Sequence, residues 1–209
     1  MSQANDSITV TPGTGATVAT HLIAGKEHQA IVQCDESGYI LGTKPTYIIN
    51  TGNSANVAAA RTTHLDLFNA TGSGKIITVK GIFIIPALAA VTGVGLTWEI
   101  AKSSTVGSGG TTKTPVGCDS TNPSIPAQVT CRSKPTGGAT IGDVLVYANG
   151  SSEETNPYAT QASQINHVPC ASLAKTQEFI LREDQGVKID QTTSSAVGTT
   201  NIQVVFTME

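Results

Sequence analysis

Charge is scarce in this chain. Asp, Glu, Lys and Arg together make up 13% of its 209 residues, half of the ~25% usual in globular proteins. Disorder goes with high charge and low hydrophobicity, so a chain with little charge and 39% hydrophobic residues fits it poorly. The twelve Lys and Arg residues are scattered rather than clustered, which argues against a basic nucleic-acid-binding patch. No long uninterrupted apolar run is present either. The most apolar stretch, IITVKGIFIIPALAAVTGVGL (residues 76–96), contains Lys80, Pro86 and several glycines. It reads as a core strand and a loop, not as a membrane span. The first residues lack the basic and apolar regions of a secretory signal, so export by that route is not expected. Neither nucleic acid nor membrane is an expected partner.

Strong helix formers are scarce, and Thr, Ser, Gly and Ala take their place. Thr is β-branched and favours strands, while Gly marks turns. The composition reads as all-β, and a chain of this length buries roughly 70% of its unfolded surface on folding.

Short strand signals recur along the chain, starting at residues 7–10. TVATHLIA and HQAIVQCD flank the turn GKE and predict a hairpin. GYILG and TYIIN follow, kept apart by Pro45. HLDLFNA and IITVKGIFIIP read as two strands joined by a glycine hairpin turn, the second apolar on both faces and therefore central. In the first, Leu65, Leu67 and Asn69 alternate against His64, Asp66 and Phe68. LTWEIAK alternates Leu96, Trp98 and Ile100 against Thr97, Glu99 and Ala101, which points Trp98 inward. AQVTCRS, DVLVYANG (ending in the turn signal NG), EFILRED, VKIDQTT and GTTNIQVVFTME complete the set. Residues 103–114 read as a loop, and only residues 55–61, with three consecutive alanines, carry a helical signal. So many short strands with glycine-rich turns predict a β-sandwich, jelly-roll-like in arrangement. The expected division is an N-terminal arm or small annexed hairpin over residues 1–50 and a sandwich over 51–209.

No motif that carries chemistry is complete. ATGSGKI approaches a phosphate loop, but Asn69 stands where the first Gly belongs and Ile76 follows Lys75. His21 and His28 flank the predicted hairpin, yet a metal site needs a third ligand and none is near in sequence. No GxSxG elbow occurs. The adjacent acidic pairs, such as Glu183 and Asp184, read as turn charges. No enzyme activity and no cofactor are expected. The four cysteines lack metal-finger spacing. Cys118 and Cys131 bracket a 14-residue string, CDSTNPSIPAQVTC, whose bridging would contribute ~3 kcal/mol; four free thiols are the alternative.

Three stretches resemble virion structural proteins of tailed bacteriophages. The opening ITVTPGTGATVATHLIAGKEHQAIV is similar to a Thr/Gly-rich segment near the start of such proteins. LDLFNATGSGKIITVKGIFI resembles their strand–turn–strand block, and EFILREDQGVKIDQ with TTNIQVVFTME resembles their closing strands. The pattern departs at Glu183 and Asp184, where those proteins have a Pro-Gly-Glu-like turn, and residues 103–175 carry no likeness. The resemblance is strongest to capsid decoration, or cement, proteins. It implies a non-enzymatic β-sandwich, a homotrimer bound to the major capsid protein on the outside of the virion. Within the N-terminal arm, Ile8, Val10, Thr17, Val18, His21, Ile23, His28 and Ile31 are then the candidate capsid contacts, since strand-adding arms bind through main-chain pairing and tolerate bland side chains. The alternative is a tail or head-fibre component that contacts the host surface. Aromatic residues make up only 4% of the chain, which leaves Trp98, Tyr147 and Tyr158 as platforms for a sugar.

Overall fold

The computed structural model of the protein describes residues 20–23, 26–29, 44–59, 61–87, 94–152, 166–169, 178–194, 196 and 198–209. The chain divides into two compact units, Met1–Gly42 and Thr43–Glu209. In the first, β1 (Thr20–Ile23) and β2 (Lys26–Gln29) pair antiparallel, with His21 opposite His28 and Ile23 opposite Lys26. The hairpin expected around GKE is present, but Lys26 and Glu27 of that string lie in the second strand. The expected strands at residues 7–10 and 38–42 fall outside the described residues.

The second unit contains β3 (Thr46–Asn50), β4 (Ser54–Ala55), β5 (Thr62–Asn69), β6 (Ile77–Ala87), β7 (Val94–Ser103), β8 (Thr111–Thr112), β9 (Val116–Gly117), β10 (Val129–Ser133), β11 (Ile141–Ser152), β12 (Asn166–Pro169), β13 (Phe179–Leu181), β14 (Gln185–Gln191) and β15 (Thr199–Met208). Two antiparallel sheets result, and the unit is a β-sandwich. One sheet has the order β11-β7-β14-β5-β10-β8, the other β12-β6-β15-β3-β9, with β13 on β6 and β4 on β15. The unit boundary precedes the expected residue 50 because β3 pairs along β15 inside the second sheet.

Alternation builds the core. Leu65 and Leu67, Leu96, Trp98 and Ile100, and Val187 and Ile189 come from one sheet. Ile49, Ile77, Val79, Ile82, Ile84, Ile202, Val204 and Phe206 come from the other. Side chains two apart on a strand share a face, so each strand supplies every second residue, with one slip in β6 between Val79 and Ile82, where its pairing with β15 shifts register. At ~25 cal/mol per Å² of apolar surface removed from water, these residues hold the sheets together. β6 is central, as expected, although Phe83 and Ile85 on its outer face stay partly exposed.

Three expectations fail for tertiary reasons. No α-helix occurs among the described residues. Asn56 and Val57 are instead tied to distant segments: the Asn56 N–H donates to the Gly198 carbonyl, and the Val57 N–H to Gln191 Oε1. The glycine string after β5 is not a hairpin, because β5 and β6 lie in different sheets and the string crosses between them. The NG signal at residues 149–150 makes no turn, since β11 runs on to Ser152 and pairs with β7 throughout.

The excursion between β7 and β10 closes one side of the sandwich by serving both sheets. β8 pairs with β10 at the edge of the first sheet, and β9 pairs with β3 at the edge of the second. Tyr47 Oη donates to the Pro123 carbonyl at 2.6 Å and Asn122 Nδ2 to the Thr46 carbonyl at 2.8 Å. Cys118 lies exposed on this excursion while Cys131 points into the core, and both thiols are free. Cys34 and Cys170 fall outside the described residues. No helix among the described residues is long and apolar enough to cross a membrane.

Candidate functional site

The outward face of the six-stranded sheet carries most of the sandwich's buried charge. A bulge in β5 sets it up. Ile189 opposes Leu65, but Asp190 opposes Thr63, so His64 is an extra residue in the ladder. Thr63 and Asp66 consequently share the outward face with Lys188 and Asp190. His64 is turned to the other side, opposite to the simple alternation expected from sequence. Its ring meets Trp98 and its Nε2 lies 3.0 Å from Gln191 Oε1. Burial pushes the His64 imidazole down to about 4, against the pull of the Gln191 hydrogen bond.

On the outward face Arg61 reaches Glu99 at 2.5 Å and Asp190 at 3.0 Å. Thr63 Oγ1 donates to Asp190 Oδ1 at 2.7 Å, and Lys188 Nζ lies 3.3 Å from Asp190 Oδ2. Asp66 takes neutral donors: the Gly107 N–H at 2.8 Å on Oδ2 and Ser103 Oγ at 3.4 Å on Oδ1. Asp66, Glu99, Lys188 and Asp190 are all buried. Burial raises the Asp66 carboxyl above its ordinary range, and the Gly107 and Ser103 hydrogen bonds oppose that rise.

Charges so placed need a lid, and the segments around 104–110 and 134–140 supply it. Ser108 and Gly137 bond each other, the Lys134 N–H donates to the His64 carbonyl, and Lys188 Nζ donates to the Ala139 carbonyl. Gly107 fits only because it lacks a side chain: a Cβ there would lie 2.9 Å from both Asp66 Oδ2 and Pro135 Cβ. A cleft of about 240 Å³ remains between this lid and Arg61, Thr62 and Thr63.

The string that approached a phosphate loop is an anion nest that the chain fills itself. Gly72 and Gly74 adopt positive φ, which turns successive N–H groups toward one point. Glu183 Oε1 accepts from the N–H of Gly72 at 3.1 Å and of Gly74 at 2.8 Å. Asp184 accepts from the N–H and hydroxyl of Thr71. Asn69, in the place of the first phosphate-loop Gly, spans the crossover from Lys75 to Leu181. Glu183 and Asp184 are thus turn charges, as expected, and they also fasten the two inter-sheet crossings together.

A larger cavity of about 550 Å³ opens beside β7, β11 and β13, lined by groups of both signs, among them Lys102, Asp143 and Glu178. Glu178 is engaged by Lys80 at 2.5 Å. Among the described residues no group of three or more His, Cys, Asp or Glu is arranged to hold a metal ion.

Of the candidate capsid contacts, His21, Ile23 and His28 lie on the described hairpin; Ile8, Val10, Thr17, Val18 and Ile31 fall outside the described residues. Of the candidate sugar platforms, Trp98 is fully buried and Tyr147 is 66% exposed. Tyr158 falls outside the described residues. Sequence reasoning missed the charged layer. Its signal was the polar half of each alternation (Asp66, Glu99, Lys188 and Asp190), which looks the same whether it faces solvent or a lid. No family model matches the chain, and no curated protein or solved structure is detectably similar to it.

Proposed function

We propose that the protein is a non-enzymatic component of a tailed-bacteriophage virion that binds the outside of the capsid and stabilises adjacent major capsid subunits. One observation carries the reading beyond the sequence resemblance. The sandwich unit assembles a continuous core between Tyr47 and Met208, while residues 1–42 form a separate unit containing a strand pair. In this reading the first unit is the arm that grips the capsid, with His21, Ile23 and His28 among its contacts. Added strands bind through main-chain hydrogen bonds, which suits a segment poor in large apolar side chains. The sandwich is braced by ion pairs inside its outward face. Low charge leaves surfaces that pack without stranding unpaired ions, and the working assembly is a homotrimer.

Co-sedimentation with capsids lacking the protein tests the assignment. The full chain is expected to pellet with them, and a chain starting at Thr43 to stay in the supernatant while keeping its β circular dichroism. Capsid binding by the truncated, folded chain would contradict the arm's role. Failure of the full chain to bind would contradict the function.

A further inference from the structure

Lys188, Asp66 and Asp190 share one closed space beneath the lid. Lys188 and Asp66 are direct cross-strand partners on β14 and β5, which places their Cβ atoms about 4.5–5.5 Å apart on one face. Side-chain exposure is 4% for Lys188 and 0% for Asp190, and Asp66 is 1% exposed. The two carboxyl groups are not equivalent. Asp190 is contacted by Arg61 at 3.0 Å and Thr63 at 2.7 Å, and lies 3.3 Å from the Lys188 amine. Asp66 accepts hydrogen bonds from neutral donors, and burial raises its carboxyl against the pull of the Gly107 and Ser103 hydrogen bonds and of the Lys188 charge. An amine, an acidic side chain beside it and a buried carboxyl on the partner strand are the groups an amide condensation requires.

We propose that Lys188 and Asp66 join in an intramolecular isopeptide bond, with Asp190 as the proton acceptor and the Gly107 N–H as the oxyanion donor. Lys188 first passes a proton to Asp190 and becomes a neutral amine. Nζ then attacks Cγ of the protonated Asp66. Negative charge develops on Oδ2, where the Gly107 N–H already points at 2.8 Å. The C–Oδ1 bond breaks and the hydroxyl leaves as water, taking one Nζ proton; another stays on Asp190, and the third remains on the amide nitrogen. Atoms and charge balance, and no oxidant or further reactant enters. Burial serves the step in two ways. It strengthens the electrostatics of the site, and it exchanges a buried ammonium, costly to desolvate, for a neutral amide. The product ties the neighbouring strands β5 and β14, which lie side by side within the six-stranded sheet.

The test is mass spectrometry of the full-length protein, purified folded and then reduced and denatured. The expected result is a chain lighter by one water, and a proteolytic digest containing a branched peptide that joins Lys188 to Asp66. Lys188→Arg keeps the positive charge but does not condense, so its chain should show its full mass with an unchanged far-ultraviolet spectrum. Asp190→Asn should slow or stop formation of the bond. A wild-type chain at full mass after prolonged incubation in the folded state would overturn the proposal. So would a water loss that maps to other residues or that persists in Lys188→Arg.

Discussion

The ring of His64 stands edge-on to Trp98, with centroids 4.9 Å apart and planes at 81°. Both rings are fully buried, and that placement makes the histidine a liability in acid. Its folded-state value of about 4 lies below the ordinary 6.5, so between those values the unfolded chain binds the proton and the folded chain does not. Stability from this group is complete above pH 6.5 and is lost as pH falls toward 4. A difference of that size is worth on the order of 3 kcal/mol. Urea midpoints at pH 7 and pH 4.5 check it. The wild type should lose much of its stability across that interval, and His64→Gln should show a shallower loss.

Asp190 holds the outward face together, since both Arg61 and Lys188 turn to it. Asp190→Asn keeps the shape and removes the charge; with the Lys188–Asp66 bond unformed in this variant, the Lys188 ammonium is left without its partner where its side chain is 4% exposed. Breaking one side of a buried ion pair costs about 3–5 kcal/mol. Chemical denaturation should show a loss of this order. Glu183→Gln, at the exposed nest, should cost no more than ~1 kcal/mol, and equal losses at the two positions would contradict the distinction.

The lid leaves no room at Gly107. Gly107→Ala would push a methyl group against Asp66 Oδ2 and Pro135, each 2.9 Å from the new carbon. Overpacking of this kind costs about 1–3 kcal/mol, and the loss should appear as a lower melting temperature. Amide exchange should quicken at Ser108 and Thr136, whose N–H groups bond across the lid.

The two described thiols should react at very different rates. Cys118 is exposed, whereas Cys131 is buried, and burial drives its thiol well above the usual range. The thiolate is the reactive form. A thiol reagent at pH 8 should modify Cys118 within minutes and Cys131 only when the chain unfolds. Rapid modification of Cys131 in native protein would contradict its placement in the core.

How much the sequence disclosed differs between the two faces of each strand. Alternation in LTWEIAK and NIQVVF located Trp98, Ile100, Ile202, Val204 and Phe206 in the core, because burial on one face leaves a period of two. That same pattern does not say what lies over the other face. Asp66, Glu99, Lys188 and Asp190 read as solvent-facing until residues from 104–110 and 134–140 close over them, which is a long-range fact. The bulge at His64 is hidden for a related reason: it shows only in the pairing with β14. Glycine strings also mislead about connectivity. ATGSGK marks a change of direction, but a crossing between sheets and a hairpin need the same positive-φ residues, and only the partners of β5 and β6 tell them apart. The hairpin of β1 and β2 was legible from its flanking β-branched islands, although its register was not.

Copy number in purified particles tests the central claim most directly. On the proposed reading, quantitative mass spectrometry of purified virions, normalised to the major capsid protein, gives the ratio. A shell-wide decoration protein predicts a ratio near stoichiometric with the capsid subunit or a simple fraction of it. A handful of copies per particle would contradict the decoration role and favour a fibre or tail position, and absence from particles would contradict the virion assignment altogether.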